Sequence, residues 1–178
     1  MRLLLALVLV AGPALAQTCP APPDIAAEAD PLHDRLAAAA DPASAQRLSG
    51  ALWRLWLTAP DEASQELLDG GIARMQRGDL LGSIETLGRL VYYCPDYAEG
   101  WNQRAFAKFL GGDYDGALDD LDRAVALSPR HVGAVSGRGL TLMRLGREAE
   151  GREALREAVR LNPWLAERTL LEPPGEDL

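Results

Sequence analysis

"WNQRAFAKFLGGDYDGALDDLDRAVALSP", residues 101–129, decides how this chain folds. Trp101, Ala105, Lys108 and Phe109 recur at three- to four-residue spacing, the mark of one helical face. Gly111 and Gly112 interrupt it, and Asp113 stands where a helix N-cap belongs. Ala117, Leu118, Leu121, Ala124 and Val125 then form a second apolar stripe. Pro129 closes it, because the residue before a proline avoids helical geometry. The stretch is two helices joined by a short turn.

The same phrase is repeated on both sides, and internal periods of this length mark stacked helical units. Pro95, Pro129 and Pro163 are 34 residues apart, as are Gly78, Gly112 and Gly146. Four further columns keep the period: Gly71, Ala105 and Gly139; Ser83, Ala117 and Gly151; Leu87, Leu121 and Leu155; Tyr93, Leu127 and Leu161. The windows are 64–97, 98–131 and 132–165. The small columns have a packing purpose, since two helices that cross closely need short side chains at the crossing.

The phased set of Trp101, Ala105, Ala117, Gly112-Asp113-Tyr114, Ala124 and Pro129 resembles the tetratricopeptide repeat family. The outer copies depart from it, with Leu67 and Val135 in the tryptophan column and Arg74, Lys108 and Leu142 where the family's late tyrosine would stand. The resemblance implies an all-α fold, a short α-solenoid of three helical hairpins with N- and C-terminal capping helices. It also implies that the first helix of each pair lines a concave, protein-binding groove. The inward positions would be Gln65, Leu68, Ile72, Met75 and Gln76 in the first copy. In the second they would be Glu99, Asn102, Phe106, Phe109 and Leu110, and in the third Gly133, Ser136, Leu140, Met143 and Arg144. Some family members clamp a peptide carboxylate with Lys, Arg and Asn. Here only Asn102 matches, so the Met- and Phe-rich lining suits an apolar or amphipathic segment better. The alternative is that these residues pack on the chain's own helices.

Outside the repeats, Asp30-Pro31 and Asp41-Pro42 each read as an N-cap followed by proline at the first helical position. They place an N-terminal helical cap at 30–63, with one helix running from Pro31 to Ala40 and a second ending near Leu57. Leu48, Leu52, Leu55 and Trp56 form an apolar stripe on the second, with Trp53 beside it. It either covers the first repeat or reaches into the groove. Pro163 opens a C-terminal capping helix at 163–171, with Trp164, Leu165 and Leu170 turned to the last repeat. The acidic, proline-rich 172–178 reads as a disordered tail, and 17–29 as a flexible arm.

Residues 1–16 have the form of a cleaved export signal: Arg2, the apolar run Leu3 to Ala11, a Gly12-Pro13 break and a small-x-small end at Ala14–Ala16. The run is too short to span a bilayer, which takes about 20 residues. Ala16-Gln17-Thr18 before Cys19 does not resemble a lipoprotein signal. The expected destination is the bacterial periplasm, with no direct membrane insertion after cleavage.

The chain carries 26 acidic against 18 basic residues, a net charge of −8. That argues against a nucleic-acid partner, which needs a basic face. No Cys/His cluster has metal-ligand spacing, no phosphate loop occurs, and "DDLD" at 119–122 reads as a solvated face. His33 and His131 are far apart and read as structural. No cofactor and no catalysis are implied. The function that remains is a scaffold, adaptor or assembly factor binding another envelope protein, with a structural or oligomeric subunit as the alternative.

Cys19 and Cys94 both follow the signal, and an even count in an exported chain allows a disulfide. Closing a loop of this length would contribute about 4.5 kcal/mol on the chain-entropy account. Free thiols are the alternative, and neither cysteine has the Cys-x-x-Cys setting of a redox pair. Thiol titration of the denatured chain without reductant separates the two: a bridge leaves no free thiol, and two free thiols rule it out.

Overall fold

The computed structural model describes residues 18–171; the expected signal and the 172–178 tail lie outside the described residues. Among the described residues eight α-helices follow in order: α1 Ala26–Ala37, α2 Pro42–Trp56, α3 Glu62–Gln76, α4 Leu80–Tyr93, α5 Ala98–Leu110, α6 Tyr114–Leu127, α7 Val132–Arg144 and α8 Glu148–Leu161. A 3-10 segment at Ala166–Leu171 closes the described chain. There is no strand among the described residues. The fold is the expected all-α solenoid. Its hairpins are α3–α4, α5–α6 and α7–α8, stacked through α4 on α5 and α6 on α7. On the inner side α3 also touches α5, and α5 touches α7.

The repeat columns explain each hairpin turn. Gly78, Gly112 and Gly146 have φ of 81, 82 and 76°, a left-handed conformation that a side chain disfavours. Each closes its helix with two reversed hydrogen bonds, for example Gly112 N–H to the Phe109 carbonyl and Asp113 N–H to the Lys108 carbonyl. The next residue then caps the partner helix: Asp79 accepts from Gly82 N–H and Asp113 from Gly116 N–H. The third copy has Arg147 there, which makes no side-chain cap and pairs with Glu150 instead.

The small columns act where the helices cross. A Cβ at Gly71 would lie 2.4 Å from Leu87 Cγ, and one at Gly139 would lie 2.7 Å from Leu155 Cγ. Ser83 turns its size to use, donating to the Gly71 carbonyl at 2.9 Å. Across α5 and α6 the tie is ionic. Asp120 is buried and accepts from Arg104 Nε and Nη2 at 2.7 and 2.6 Å, with Lys108 Nζ at 2.8 Å. That corrects the solvated reading of "DDLD": Asp119 and Asp122 are exposed, but Asp120 points inward to satisfy two cations of the facing helix.

The N-terminal helices differ from the sequence expectation at the start of α1. Helix α1 starts at Ala26, with Pro31 inside it. Asp24 accepts from Ala26 N–H and starts the helix early, while Ile25 and Ala29 pack into the core. The carbonyl that Pro31 leaves unbonded belongs to exposed Ala27, where water can satisfy it. Helix α2 begins as expected, at Pro42 with Asp41 as its cap.

Placement follows the second of the two alternatives, with α2 reaching into the groove. The α1–α2 hairpin is not stacked on the first repeat. Its apolar residues Leu36, Leu48, Leu52 and Trp56 form one cluster with Val132 of α7, Leu161 of α8, Trp164 and Leu165. The hairpin therefore crosses the inner face and meets the third repeat. Trp164 and Leu165 cover this hairpin, while Leu170 is exposed. Arg130 binds Asp30 at 2.6 Å, and Asn162 Nδ2 reaches Ser49 Oγ at 3.4 Å, both across the same junction.

At the other end, Cys19 is disulfide-bonded to Cys94, 75 positions away, as the cysteine pairing anticipated. Cys94 is buried, and the bridge joins the chain start to the end of the first repeat.

His33 is buried in the α1–α2 hairpin, its ring 6.0 Å from Trp56, with no partner at Nδ1 among the described residues. Burial, then the nearby Arg130 guanidinium, lowers its pKa from the ordinary 6.5; Asp30 and Asp34 oppose this and do not prevail. As pH falls through 6.5, the unfolded chain takes up a proton that the folded chain resists, so stability falls. Replacing His33 with Leu is expected to flatten the decline in urea-unfolding free energy between about pH 7 and pH 5. An unchanged slope would remove His33 from the acid response.

Candidate functional site

The inner face is built by one helix from each repeat, so residues one period apart meet in space. Ile72 and Met75 of α3, Asn102, Phe106 and Phe109 of α5, and Ser136 and Leu140 of α7 line a cavity of about 590 Å³. Its remaining walls are α2, through Leu52, Trp53 and Trp56, and the segment after α8, through Asn162, Leu165 and Glu167. Gln76, Leu110 and Gly133 also reach it, as their inward phase implies. Phe106 and Leu110 are each 50% exposed, which is unusual for side chains of that size. No Lys or Arg among the described residues lines this cavity.

Five predicted inward residues are elsewhere: Gln65 accepts from Ala59 N–H at 2.9 Å and donates to Asp69 at 3.0 Å, and Glu99 belongs to the buried cluster described below. Leu68 is completely buried, clustered with Leu87, Leu90, Cys94, Tyr97 and Ala59. The α2–α3 connection and the disulfide end of the repeat close over the column that Asn102 and Ser136 leave open. Met143 turns to α8, filling the space left by Gly151, whose missing Cβ would lie 2.5 Å from Met143 Cγ. Arg144 donates to the Tyr114 hydroxyl at 2.8 and 3.1 Å and lies 5.3 Å from its ring.

Under the cavity lies a buried polar cluster. Glu99 and His131, 1% and 0% exposed, join the second repeat's first helix to the third repeat's start. His131 Nδ1 accepts from Ala134 N–H at 3.2 Å and caps α7, which leaves the ring proton on Nε2. Nε2 then donates to Glu99 Oε2 at 2.7 Å. Asn102 donates to that same oxygen at 3.0 Å, and Gln103 to Oε1 at 2.6 Å. The indole of Trp56 stacks on the imidazole, centroids 4.0 Å apart and planes at 16°, with Trp53 edge-on at 5.7 Å. Trp56 is held from behind as well, since its carbonyl accepts from the Tyr97 hydroxyl at 2.6 Å. Glu99 is thus an inward residue, as its phase implied, but one committed to holding α2 in place. Ser136 Oγ is buried at the cavity wall with no partner among the described residues.

The tryptophan wall could not be read from the repeat, because α2 lies outside the period. The available signal was an apolar stripe carrying two tryptophans on a helix with no repeat partner. Among the described residues lining the arrangement, the Thr141 hydroxyl donates to the Gly137 carbonyl, Ser49 accepts from the Asn162 amide, and Ser136 has no partner. No group of three potential metal ligands occurs among the described residues, and no described helix is long and apolar enough to cross a membrane. What it offers is a concave apolar pocket with amides at its rim, of a size that takes a few side chains.

Comparisons with known proteins agree on the architecture. The family profile described as tetratricopeptide repeat matches residues 98–131, the middle hairpin. Tetratricopeptide repeat protein 36 of Homo sapiens is 36% identical over 114 residues, covering 62% of this chain and 60% of that protein. A TPR repeat-containing protein of Rhizobium etli is 26% identical over 119 residues, covering 67% and 58%. The chain therefore spans about three fifths of the curated relatives it matches. Among solved structures, the first TPR of Spaghetti (RPAP3) bound to an HSP90 peptide, SRMEEVD, superposes with a TM-score of 0.60 at 23% identity, covering 61% of this chain and 86% of that one. MamA superposes with a TM-score of 0.55 at 25% identity, covering 70% and 77%.

If the stack on His131 fixes α2, removing the imidazole should loosen it. His131→Ala is expected to cost about 3 kcal/mol in urea unfolding, because it strips the cap and leaves a buried carboxylate short of a donor. His131→Asn keeps a cap acceptor and should cost about 1 kcal/mol less. Equal losses in the two variants would dismiss the cap.

Proposed function

We propose that this chain, a member of the tetratricopeptide repeat family, is a non-catalytic interaction module of the bacterial periplasm that holds an apolar or amphipathic segment of another envelope protein in its inner groove. The observation that carries this reading is the half-open apolar cavity, with Phe106 exposed at its mouth and Phe109, Ile72, Met75 and Leu140 behind it. An exposed phenylalanine over an apolar hollow is the kind of surface that a partner covers. Structures of the same fold hold peptides, including acidic ones such as SRMEEVD. An acidic tail would find no cation in this cavity. Lys108 and Arg104 are spent on Asp120. Recognition here would rest on one or two apolar side chains entering the pocket, oriented by the amide of Gln103 and the hydroxyl of Ser136.

Export is part of the proposal. The signal-like residues 1–16 and the Cys19–Cys94 bridge both support it, since disulfides persist in oxidising compartments.

A second reading has an observation of its own. Trp53 and Trp56 already occupy one side of the groove, so the chain could be a structural subunit whose groove is filled by its own helices. Photo-crosslinking in cells from position 106, followed by identification of the captured protein, separates the two. Alanine at Phe109 is expected to weaken capture at least about tenfold with the helical signal intact, since a few buried aromatic contacts carry most of the binding energy. Capture of no protein from position 106 favours the self-filled groove, and undiminished capture in the Phe109 variant removes the pocket from the binding site.

A further inference from the structure

The repeat supplies its own comparison for the outer surface. On α4, Leu81, Glu85, Gly88 and Tyr92 fall on one stripe, opposite the buried Ser83, Leu87, Leu90 and Val91. One period on, the same columns of α6 hold Asp115, Asp119, Asp122 and Ala126. In α8 they hold Ala149, Glu153, Arg156 and Arg160. Those two are ordinary solvated faces. The first repeat instead leaves Leu81 83% and Tyr92 90% exposed, the two most exposed large hydrophobic side chains among the described residues. The α1–α2 hairpin, drawn across the inner face to the third repeat, does not cover them.

Three features of this stripe select its occupant. Glu85 and Arg89 sit between the two apolar residues, have opposite charge, and make no ion pair among the described residues. Gly88 at the middle leaves a gap in the stripe, with the Arg104 guanidinium 3.8 Å from where a Cβ would lie. Beside Tyr92, a shallow depression of about 490 Å³ runs between α3 and α4 over Ala63, Leu67 and Gly88. Turned by a two-fold axis near residue 87, the stripe complements itself. Leu81 of each copy would meet Tyr92 and the depression of the other, and Glu85 of each would meet Arg89 of the other. An isologous contact demands this kind of symmetry about its centre.

We propose that the outer face of α4 is an interface between two copies of this chain, packed antiparallel through Leu81, Glu85, Arg89 and Tyr92. The occupant is a second copy because the charges balance across the two-fold. A foreign partner would owe nothing to that symmetry.

Sedimentation equilibrium of the purified full chain tests this. The expected result is a concentration-dependent dimer with dissociation in the micromolar range, about 1–100 µM, as suits a small contact. Glu85→Arg alone and Arg89→Glu alone should each weaken it about tenfold, and the Glu85→Arg/Arg89→Glu double variant should restore it, since the exchange preserves both pairs only across a two-fold. Tyr92→Glu should leave a monomer with unchanged helicity, because its side chain is exposed. A chain that stays monomeric through about 100 µM overturns the proposal. So does a dimer indifferent to Tyr92→Glu, or a double variant no better than the single ones. Crosslinking from position 92 to a different protein, with no self-crosslink, assigns the face to that protein and also overturns it.

Discussion

The stack of Trp56 on His131 is the contact on which the rest of this molecule depends. A row of three hairpins can form from local pairing and neighbour contacts alone, and its inner face would then stand open. The indole closes it. One imidazole does two tasks, capping α7 through Nδ1 and binding Glu99 through Nε2, so the ring cannot turn without losing a partner. Its flat face is thereby fixed toward the inner side, where α2 lays Trp56 against it. The N-terminal hairpin, the size of the cavity and the exposure of the first repeat's outer face all follow from that docking.

The repeat body was legible because its rules are local and repeated. The glycine column demanded a left-handed turn, and the structure places a positive φ at each of the three positions. The small columns demanded close crossings, and the space at Gly71 and Gly139 is taken by Leu87 and Leu155. The groove was legible by phase where the helix geometry is regular, as at Ile72, Asn102, Phe106, Phe109, Ser136 and Leu140. It failed where one copy's surroundings differ. Leu68 shares a column with Asn102 and Ser136, yet the chain entering the first repeat covers it. Met143 follows a vacancy in the next helix, which is a property of Gly151 and not of its own helix.

What the sequence could not show is where a non-repeating element goes. Helix α2 has a clear apolar stripe, and that stripe fits either the end of the stack or its inner face. The choice rests on partners remote in the chain: Tyr97 holding the Trp56 carbonyl, Arg130 reaching Asp30, Asn162 reaching Ser49. Asp120 differs, because its phase was in the sequence. Three residues after Ala117 and four before Ala124, it stands on the inward side of α6, where the facing Arg104 and Lys108 pair with it, while Asp119 has the outward phase of Asp115 and Asp122.

The disulfide has a mechanical meaning once the hairpin's position is known. Cys19 precedes α1 and is bonded to the end of the first repeat, while α2 runs directly into α3 through Leu57 to Ala59. The hairpin is therefore moored at both ends to the first repeat, yet its apolar face rests on the third. Its docking is an intramolecular association on a short double leash, with a high effective concentration for return. Reduction would free the start of α1 and leave the hairpin tied to the first repeat through the chain at α3 alone.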